Sequence, residues 1–198
     1  STLEFATLLE RMPGSFLFYQ LLILLVGKNL FGIFFIQSIL DSINCVLIAL
    51  IAKKVKPSLF TYAGFLAAFS PLMIVISSQM LSDTLFLFFF LTFIYLFTDY
   101  LKKEKISILV FSALFLGFSI YVRTVSFPLV FGVALTLFII SIIKKKKITL
   151  PAVRNFFIFL IFSTAPIAER LYSNIINYNS FGLTTQKGTH LVYWVVPA

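Results

Sequence analysis

The chain has 198 residues, of which 60% are hydrophobic and 12% are charged, with a mean hydropathy of +1.04. An ordinary soluble domain needs a far more polar surface, so this composition excludes that class and predicts a polytopic membrane protein. The net charge of +9 is also compatible with a nucleic-acid-binding protein. The positions of the charges therefore have to be examined.

The basic residues concentrate in three short gaps between apolar stretches. These gaps contain Lys53, Lys54 and Lys56, then Lys102, Lys103 and Lys105, and finally residues 144–147 with Arg154. Together they hold 11 basic and two acidic residues, which accounts for the whole net charge. Short lysine-rich loops face the cytoplasm in membrane proteins. Topology thus explains the charge, and no nucleic-acid partner is predicted.

The first residues have the pattern of a helix that lies on the membrane. Residues 1–12 place their apolar side chains on one face, as an interfacial amphipathic helix does. Pro13 and Gly14 end this pattern, and residues 15–26 form an apolar run of 12 residues. At about 1.5 Å per residue the run covers about 18 Å, against a hydrocarbon core about 30 Å thick. We predict a short juxtamembrane helix at the outer interface.

Six later stretches are long and apolar enough to be predicted as membrane spans. They are residues 30–52, 59–80, 84–101, 106–122, 125–143 and 148–168. With the lysine-rich gaps inside, Asp83, Arg123 and the tail after Arg170 face outside. The predicted fold is an all-α, polytopic transmembrane bundle of about six spans. Its predicted parts are an outer-face segment (1–29), the bundle (30–170) and a truncated outer loop (171–198).

One span carries a polar stripe. Gln37, Asp41 and Asn44 lie on one face of the predicted helix, which must contact protein or water and not lipid. Two alternatives remain open, a cluster of interhelical hydrogen bonds or part of a path for a substrate or an ion. The spans lack the paired broken helices that are typical of transporters with inverted repeats. The single Cys45 offers neither a disulfide nor a thiolate metal site.

Several stretches resemble a known group of enzymes. RMPGSFLFYQLLILLVG (11–27) resembles the R-x-P-G-Y-P-L-F element of GT-C glycosyltransferases related to bacterial protein O-mannosyltransferases and lipid A aminoarabinose transferases. FIQSILDSINCVLIALIAKKV (35–55) resembles their next span, and MLSDTLFLFFF (80–90) resembles their second outer loop. IYVRTVSFPLV (120–130) resembles their L-x-R-P-x-x-x-x-P element, and ERLYSNIINYNSFG (169–182) with TTQKGTHLVYWVVPA (184–198) resembles a later outer loop. The resemblance covers nearly the whole chain.

The resemblance implies a GT-C-like membrane glycosyltransferase. Such an enzyme moves one sugar from a polyprenyl-phosphate donor to a hydroxyl of a lipid, glycan or protein acceptor on the outer face, with inversion. This chemistry needs a carboxylate that accepts the acceptor proton and cations that stabilise the leaving phosphate. The candidate carboxylates are Asp83 and Glu4. The candidate substrate-binding residues are Arg11, Arg123, Arg170, Lys187 and His190.

Each candidate also has a purely structural interpretation. Asp83 could only cap a helix that begins at Thr84. Arg123 and Arg170 could only anchor spans at the interface. Lys187 and His190 could be solvated loop residues. No cofactor is assigned and a divalent cation stays open, although one histidine without a cysteine cluster argues against zinc.

The chain departs from the family pattern at two positions. The family's catalytic aspartate lies four residues before a Tyr that aligns with Phe5, which places Ser1 at the aspartate position. Either that aspartate precedes a truncated fragment, or Glu4 replaces it, or the base is missing. Phe34 stands where the family tends to carry an Arg. The rival hypothesis is a non-enzymatic membrane protein, either a transporter with Asp41 in its path or a flippase-like carrier of the same lipids.

Overall fold

The computed structural model describes residues 12–77, 79, 82–145, 150–178 and 183–184. These residues form helices joined by short turns. The helices are α1 (Pro13–Val26), α2 (Leu30–Val55), α3 (Leu59–Ala68), α4 (Pro71–Ser77), α5 (Asp83–Lys103), α6 (Ile106–Val122), α7 (Phe127–Lys145), α8 (Leu150–Thr164) and α9 (Ala168–Tyr178). Short 3-10 turns at Thr124–Ser126 and Ala165–Ile167 precede α7 and α9.

The predicted all-α polytopic bundle is confirmed. In the described part of the chain, four segments are long and apolar enough to cross a membrane, namely Leu30–Val55, Asp83–Lys103, Thr124–Ile143 and Leu150–Ile176. The bent pair α3 and α4 would be a fifth span. The predicted count of six is reached only if α6 is included, whose 17 residues are about 26 Å long.

The segment predicted as a span over residues 59–80 is not one continuous helix. Helix α3 ends at Ala68, and α4 begins at Pro71 with a bend of 53° between the two. Proline has no backbone N–H and disfavours helical geometry in the residue before it, so Pro71 interrupts the helix.

Two other helix boundaries differ from the prediction. Helix α1 begins at Pro13, where the sequence predicted a break, because proline is well suited to the first helical position. The span that was predicted to end at residue 168 has an interruption at Ala165–Ile167 and continues to Tyr178 as α9. The predicted amphipathic helix over residues 1–12 lies outside the described residues, apart from Met12.

Helix α6 lies at the centre of the bundle. Leu109, Ala113, Leu116 and Ile120 on α6 are fully buried, and α6 packs against α5, α8, α1 and the Ala165–Ile167 turn. The approach to α8 is close, since a Cβ on Gly117 would lie 2.6 Å from the carbonyl oxygen of Ser163. A helix that is surrounded by other helices does not need the length of a lipid-facing span.

The outside of the bundle is apolar. Leu24 on α1, Phe31 on α2 and Leu150 on α8 are about four-fifths exposed, at 83%, 79% and 83%. So many large apolar side chains in contact with water would be costly, whereas lipid solvates them well. The exposed apolar surface and the helix lengths identify a multi-pass membrane protein.

Candidate functional site

The α5–α6 hairpin brings Asp83 and Arg123 to the same end of the bundle. Glu104 and Lys105 connect α5, which has 21 residues, to α6, which has 17. At about 1.5 Å per residue the two helices differ in length by about 6 Å, which an arginine side chain can cover. The Nη1 of Arg123 forms an ion pair with the Oδ1 of Asp83. Both side chains are partly exposed, at 46% and 26%, so a ligand can reach the pair.

Asp83 is the first residue of α5 and not its N-cap. Ser82 occupies the N-cap position and makes no side-chain capping hydrogen bond. The interpretation of Asp83 as the cap of a helix that begins at Thr84 is therefore wrong. Its negative charge still interacts favourably with the helix N-terminus, while its carboxylate is directed to Arg123.

The polar stripe of α2 holds the beginning of α5. Asn44 Nδ2 donates to the carbonyl oxygen of Thr84 at 3.1 Å, and both residues are fully buried. Gln37 on the same face of α2 is also fully buried. For Asn44 the interhelical alternative is therefore confirmed. The residue next to the Asp83 carboxylate is anchored to a neighbouring helix.

A serine pair supports the turn that carries Arg123. Arg123 has an extended backbone, with φ −145° and ψ 130°, and its N–H donates to the carbonyl oxygen of Ser119 at 2.9 Å. The hydroxyl groups of Ser119 and Ser126 lie 3.0 Å apart in a buried hydrogen bond. Because these contacts lie on both sides of Arg123 in sequence, they stabilise the backbone from which the guanidinium extends.

Tyr121 packs against the beginning of α1 and lies near two charged residues of α9. A Cβ on Gly14 would lie 2.6 Å from the carbonyl oxygen of Tyr121, so α1 begins directly against it. Glu169 and Arg170 on α9 are near enough for their charges to act on the Tyr121 hydroxyl. Arg170, which the sequence predicted as a site residue, therefore lies close to the chain segment that carries Arg123.

Sequence reasoning did not select Tyr121 or Glu169 as site residues. The available signal was their position, because Tyr121 precedes Arg123 by two residues and Glu169 precedes Arg170. The predicted residues Glu4, Arg11, Lys187 and His190 lie outside the described residues. Met12 and Leu183, which lie near these residues in the sequence, are both 4% exposed and belong to the buried core of the bundle.

The opposite end of the bundle is rich in lysine. Lys54 Nζ lies 2.8 Å from Asp99 Oδ1, which joins α2 to α5. Lys102 Nζ donates to the carbonyl oxygen of Lys54 at 3.2 Å, and Lys103 lies 3.5 Å from Asp99. We call this the lysine-rich end. No group of three His, Cys, Asp or Glu side chains that could hold a metal ion is found in the described part of the chain.

Comparison with known families assigns the chain to one of them. The family model described as dolichyl-phosphate-mannose-protein mannosyltransferase matches residues 10–166. The match covers 157 of the 198 residues. The chain belongs to this family. The mannosyltransferase family is of the GT-C type, so the chain is a membrane glycosyltransferase by family.

The mannosyltransferase match includes the main features of the site. Asp83, Arg123 and the helices from α1 to α8 all lie within its limits, while Arg170 lies just beyond them. No match was found among curated proteins or among solved structures.

Proposed function

We propose that this member of the mannosyltransferase family transfers one sugar from a polyprenyl-phosphate donor to an acceptor hydroxyl. The reaction takes place at the end of the bundle opposite the lysine-rich end, which we assign to the outer face of a bacterial plasma membrane. The Asp83–Arg123 ion pair is the observation that carries this proposal. It combines a carboxylate and a phosphate-binding cation in a partly exposed position at that end.

Arg123 is proposed to bind the phosphate of the donor. A guanidinium has five N–H donors, so its contact with Asp83 leaves others for phosphate oxygens. Charge that accumulates on the leaving phosphate is then stabilised by a cation whose backbone is already fixed by Ser119 and Ser126.

Asp83 is proposed to act on the acceptor side and to orient Arg123. Two anions repel each other, so a carboxylate that touched the phosphate directly would oppose binding. With Arg123 between them, the Asp83 carboxylate can hold the guanidinium and accept a hydrogen bond from a sugar or acceptor hydroxyl. Glu4 remains a proposed second carboxylate, and Arg11, Arg170, Lys187 and His190 remain proposed substrate-binding residues.

The proposed reaction is a single displacement with inversion. The acceptor oxygen forms a bond to the anomeric carbon while a carboxylate takes the hydroxyl proton. The bond between that carbon and the phosphate oxygen breaks, and polyprenyl phosphate leaves with the electron pair.

The chain is proposed to have three parts. Residues 1–29 and 171–198 border the outer-face site, and residues 30–170 form the bundle.

The test uses the full-length protein purified in detergent with a polyprenyl-phosphate sugar as donor. Release of polyprenyl phosphate should require an acceptor and should match the amount of glycosylated product. The anomeric configuration of the product, read by NMR, should be opposite to that of the donor. Movement of the donor lipid across vesicle membranes without sugar transfer would overturn the proposal and favour a flippase.

A further inference from the structure

A second polar site lies at the lysine-rich end. Helices α5 and α7 end and α8 begins around a cavity of about 140 Å³, whose lining includes Tyr100, Leu101, Ile140, Arg154 and Asn155. Tyr100 follows Asp83 by 17 residues on the same helix, which is a separation of about 26 Å. The cavity is therefore distinct from the Asp83–Arg123 site.

One wall of the cavity is built from a chain of hydrogen bonds. Asn155 Nδ2 donates to the hydroxyl oxygen of the buried Tyr100 at 2.9 Å, which joins α8 to α5. Arg154 Nε donates to Asn155 Oδ1 at 3.4 Å. This contact places the exposed Arg154 guanidinium beside the cavity.

The charge of the site favours an anion. No carboxylate among the described residues forms an ion pair with Arg154. Glu104 is the acidic residue of the cavity lining, and it has an interaction of its own. Exposed Lys102 and Lys105 lie beside Glu104 in the chain. A guanidinium matches the geometry of phosphate oxygens, so phosphate is the anion that this wall suits best.

The other wall and the location favour a lipid as the source of that phosphate. Leu101 and Ile140 give the cavity an apolar side at the ends of membrane helices. In membrane proteins, basic pockets between transmembrane helices on the cytoplasmic side, where lysine-rich loops lie, recognise the headgroups of anionic lipids. A headgroup phosphate can contact Arg154 while the glycerol part of the lipid packs against the leucine and isoleucine.

We propose that this cavity binds the phosphodiester headgroup of an anionic phospholipid from the leaflet at the lysine-rich end, with Arg154 as the phosphate ligand. Asn155 and Tyr100 are positioning residues, because they hold the guanidinium without needing to touch the lipid. The site would hold a structural lipid on the membrane side opposite the sugar donor.

Native mass spectrometry of the delipidated full-length protein tests the proposal with phosphatidylglycerol and phosphatidylcholine as probes. Phosphatidylglycerol should bind more tightly, and Arg154→Gln should weaken its binding about tenfold or more, because hydrogen bonds to charged groups are lost. Arg154→Lys should give a smaller loss, since it keeps the charge and loses the planar fork. Asn155→Ala should weaken binding about threefold without any change of charge.

Lys56→Gln is the matched control. It removes an exposed positive charge near the same end without altering the cavity lining, so binding should change by less than about twofold. Equal losses for Arg154→Gln and Lys56→Gln would overturn the proposal and indicate diffuse attraction only. Equal binding of both lipids, or displacement of the lipid by inorganic phosphate at equal concentration, would also overturn it.

Discussion

The Asp83 carboxylate and the Arg123 guanidinium stabilise each other at a position where neither is fully shielded from a ligand. Replacement of Asp83 by Asn should keep the shape and lose the charge. We expect turnover to fall about tenfold or more, because hydrogen bonds that involve a charged group are worth roughly 1.5–3 kcal/mol. The measurement is the rate of sugar transfer at saturating donor.

Asp99→Asn is the control for this variant. Asp99 lies on the same helix as Asp83, at the lysine-rich end, and forms an ion pair with Lys54 of α2, so its loss tests the general effect of a missing ion pair. If Asp99→Asn reduced transfer as much as Asp83→Asn, the effect would come from stability and the proposed role of Asp83 would be rejected.

Arg123 allows a second prediction at the residue scale. Arg123→Ala should raise the donor concentration needed for half-maximal rate more than Arg123→Lys, because lysine keeps the charge but not the bidentate geometry. The comparison control is Lys56→Ala, which removes an exposed cation near the lysine-rich end. Similar donor affinity in Arg123→Ala and in the unmodified protein would contradict phosphate binding by Arg123.

At the scale of helices, Asn44 connects α2 to the beginning of α5. Asn44→Leu removes the donor to the buried carbonyl oxygen of Thr84, which should cost about 1–3 kcal/mol of unfolding free energy. Because this contact also holds the turn that carries Asp83, the transfer rate should fall as well, even at temperatures where the protein stays folded. Thermal unfolding in detergent and the transfer rate measure the two effects.

Ser42→Leu is the control for Asn44→Leu. Ser42 is exposed on the same helix, and its hydroxyl donates to the carbonyl oxygen of Ser38 within that helix. A variant at this position should unfold and react as the unmodified protein does. If Asn44→Leu behaved in the same way, the contact with Thr84 would have no role in positioning Asp83.

The packing of α6 against α8 depends on the absence of a side chain at position 117. In Gly117→Ala the new Cβ would lie 2.6 Å from the carbonyl oxygen of Ser163 and 2.7 Å from Pro166. Both neighbours belong to packed segments, so the helices must separate, and we expect a loss of about 1–3 kcal/mol. Thermal unfolding measures the change.

Gly132→Ala is the control for Gly117→Ala, and we expect it to stabilise the protein instead of destabilising it. Gly132 lies in α7, and a Cβ added to it would have no neighbouring atom within 4 Å, so alanine should stabilise the helix by about 0.5–1 kcal/mol. Destabilisation by both substitutions to the same degree would show that the close α6–α8 contact does not limit stability.

At the scale of the whole molecule, the lysine-rich end and the Asp83–Arg123 pair lie at opposite ends of one bundle. Lysine-rich loops stay on the cytoplasmic side, so Ser82 should face outside and Lys105 should face inside. Single cysteines at these two positions, in a protein with Cys45 replaced by Ala, can be labelled in intact cells. A membrane-impermeant maleimide should modify position 82 and not position 105, and the reverse pattern would contradict the orientation.

Much of the fold could be predicted from local properties of the chain. Apolar length predicted α2, α5 and α7 to within a few residues, because each must bury about the same thickness of bilayer. The sequence also predicted that Asp83 and Arg123 lie at the same end of the bundle, and the two-residue connection between α5 and α6 bears this out. The family could likewise be predicted from short motifs in the right order, and the match over residues 10–166 confirms it.

The sequence by itself thus determined the membrane class, the positions of α2, α5 and α7, and the placement of Asp83 and Arg123 at the same end of the bundle, since all three depend on hydrophobicity and on neighbours along the chain. Tertiary packing alone decided that Asn44 bonds to Thr84, 40 residues away. It also decided the cavity beside which Asn155 forms hydrogen bonds with both Arg154 and Tyr100. The sequence analysis predicted one span over residues 59–80, and the 53° bend between Ala68 and Pro71 was not predicted. Such features depend on which helices become neighbours, and apolar helices in lipid choose neighbours by shape and by a few buried polar groups that hydropathy does not reveal.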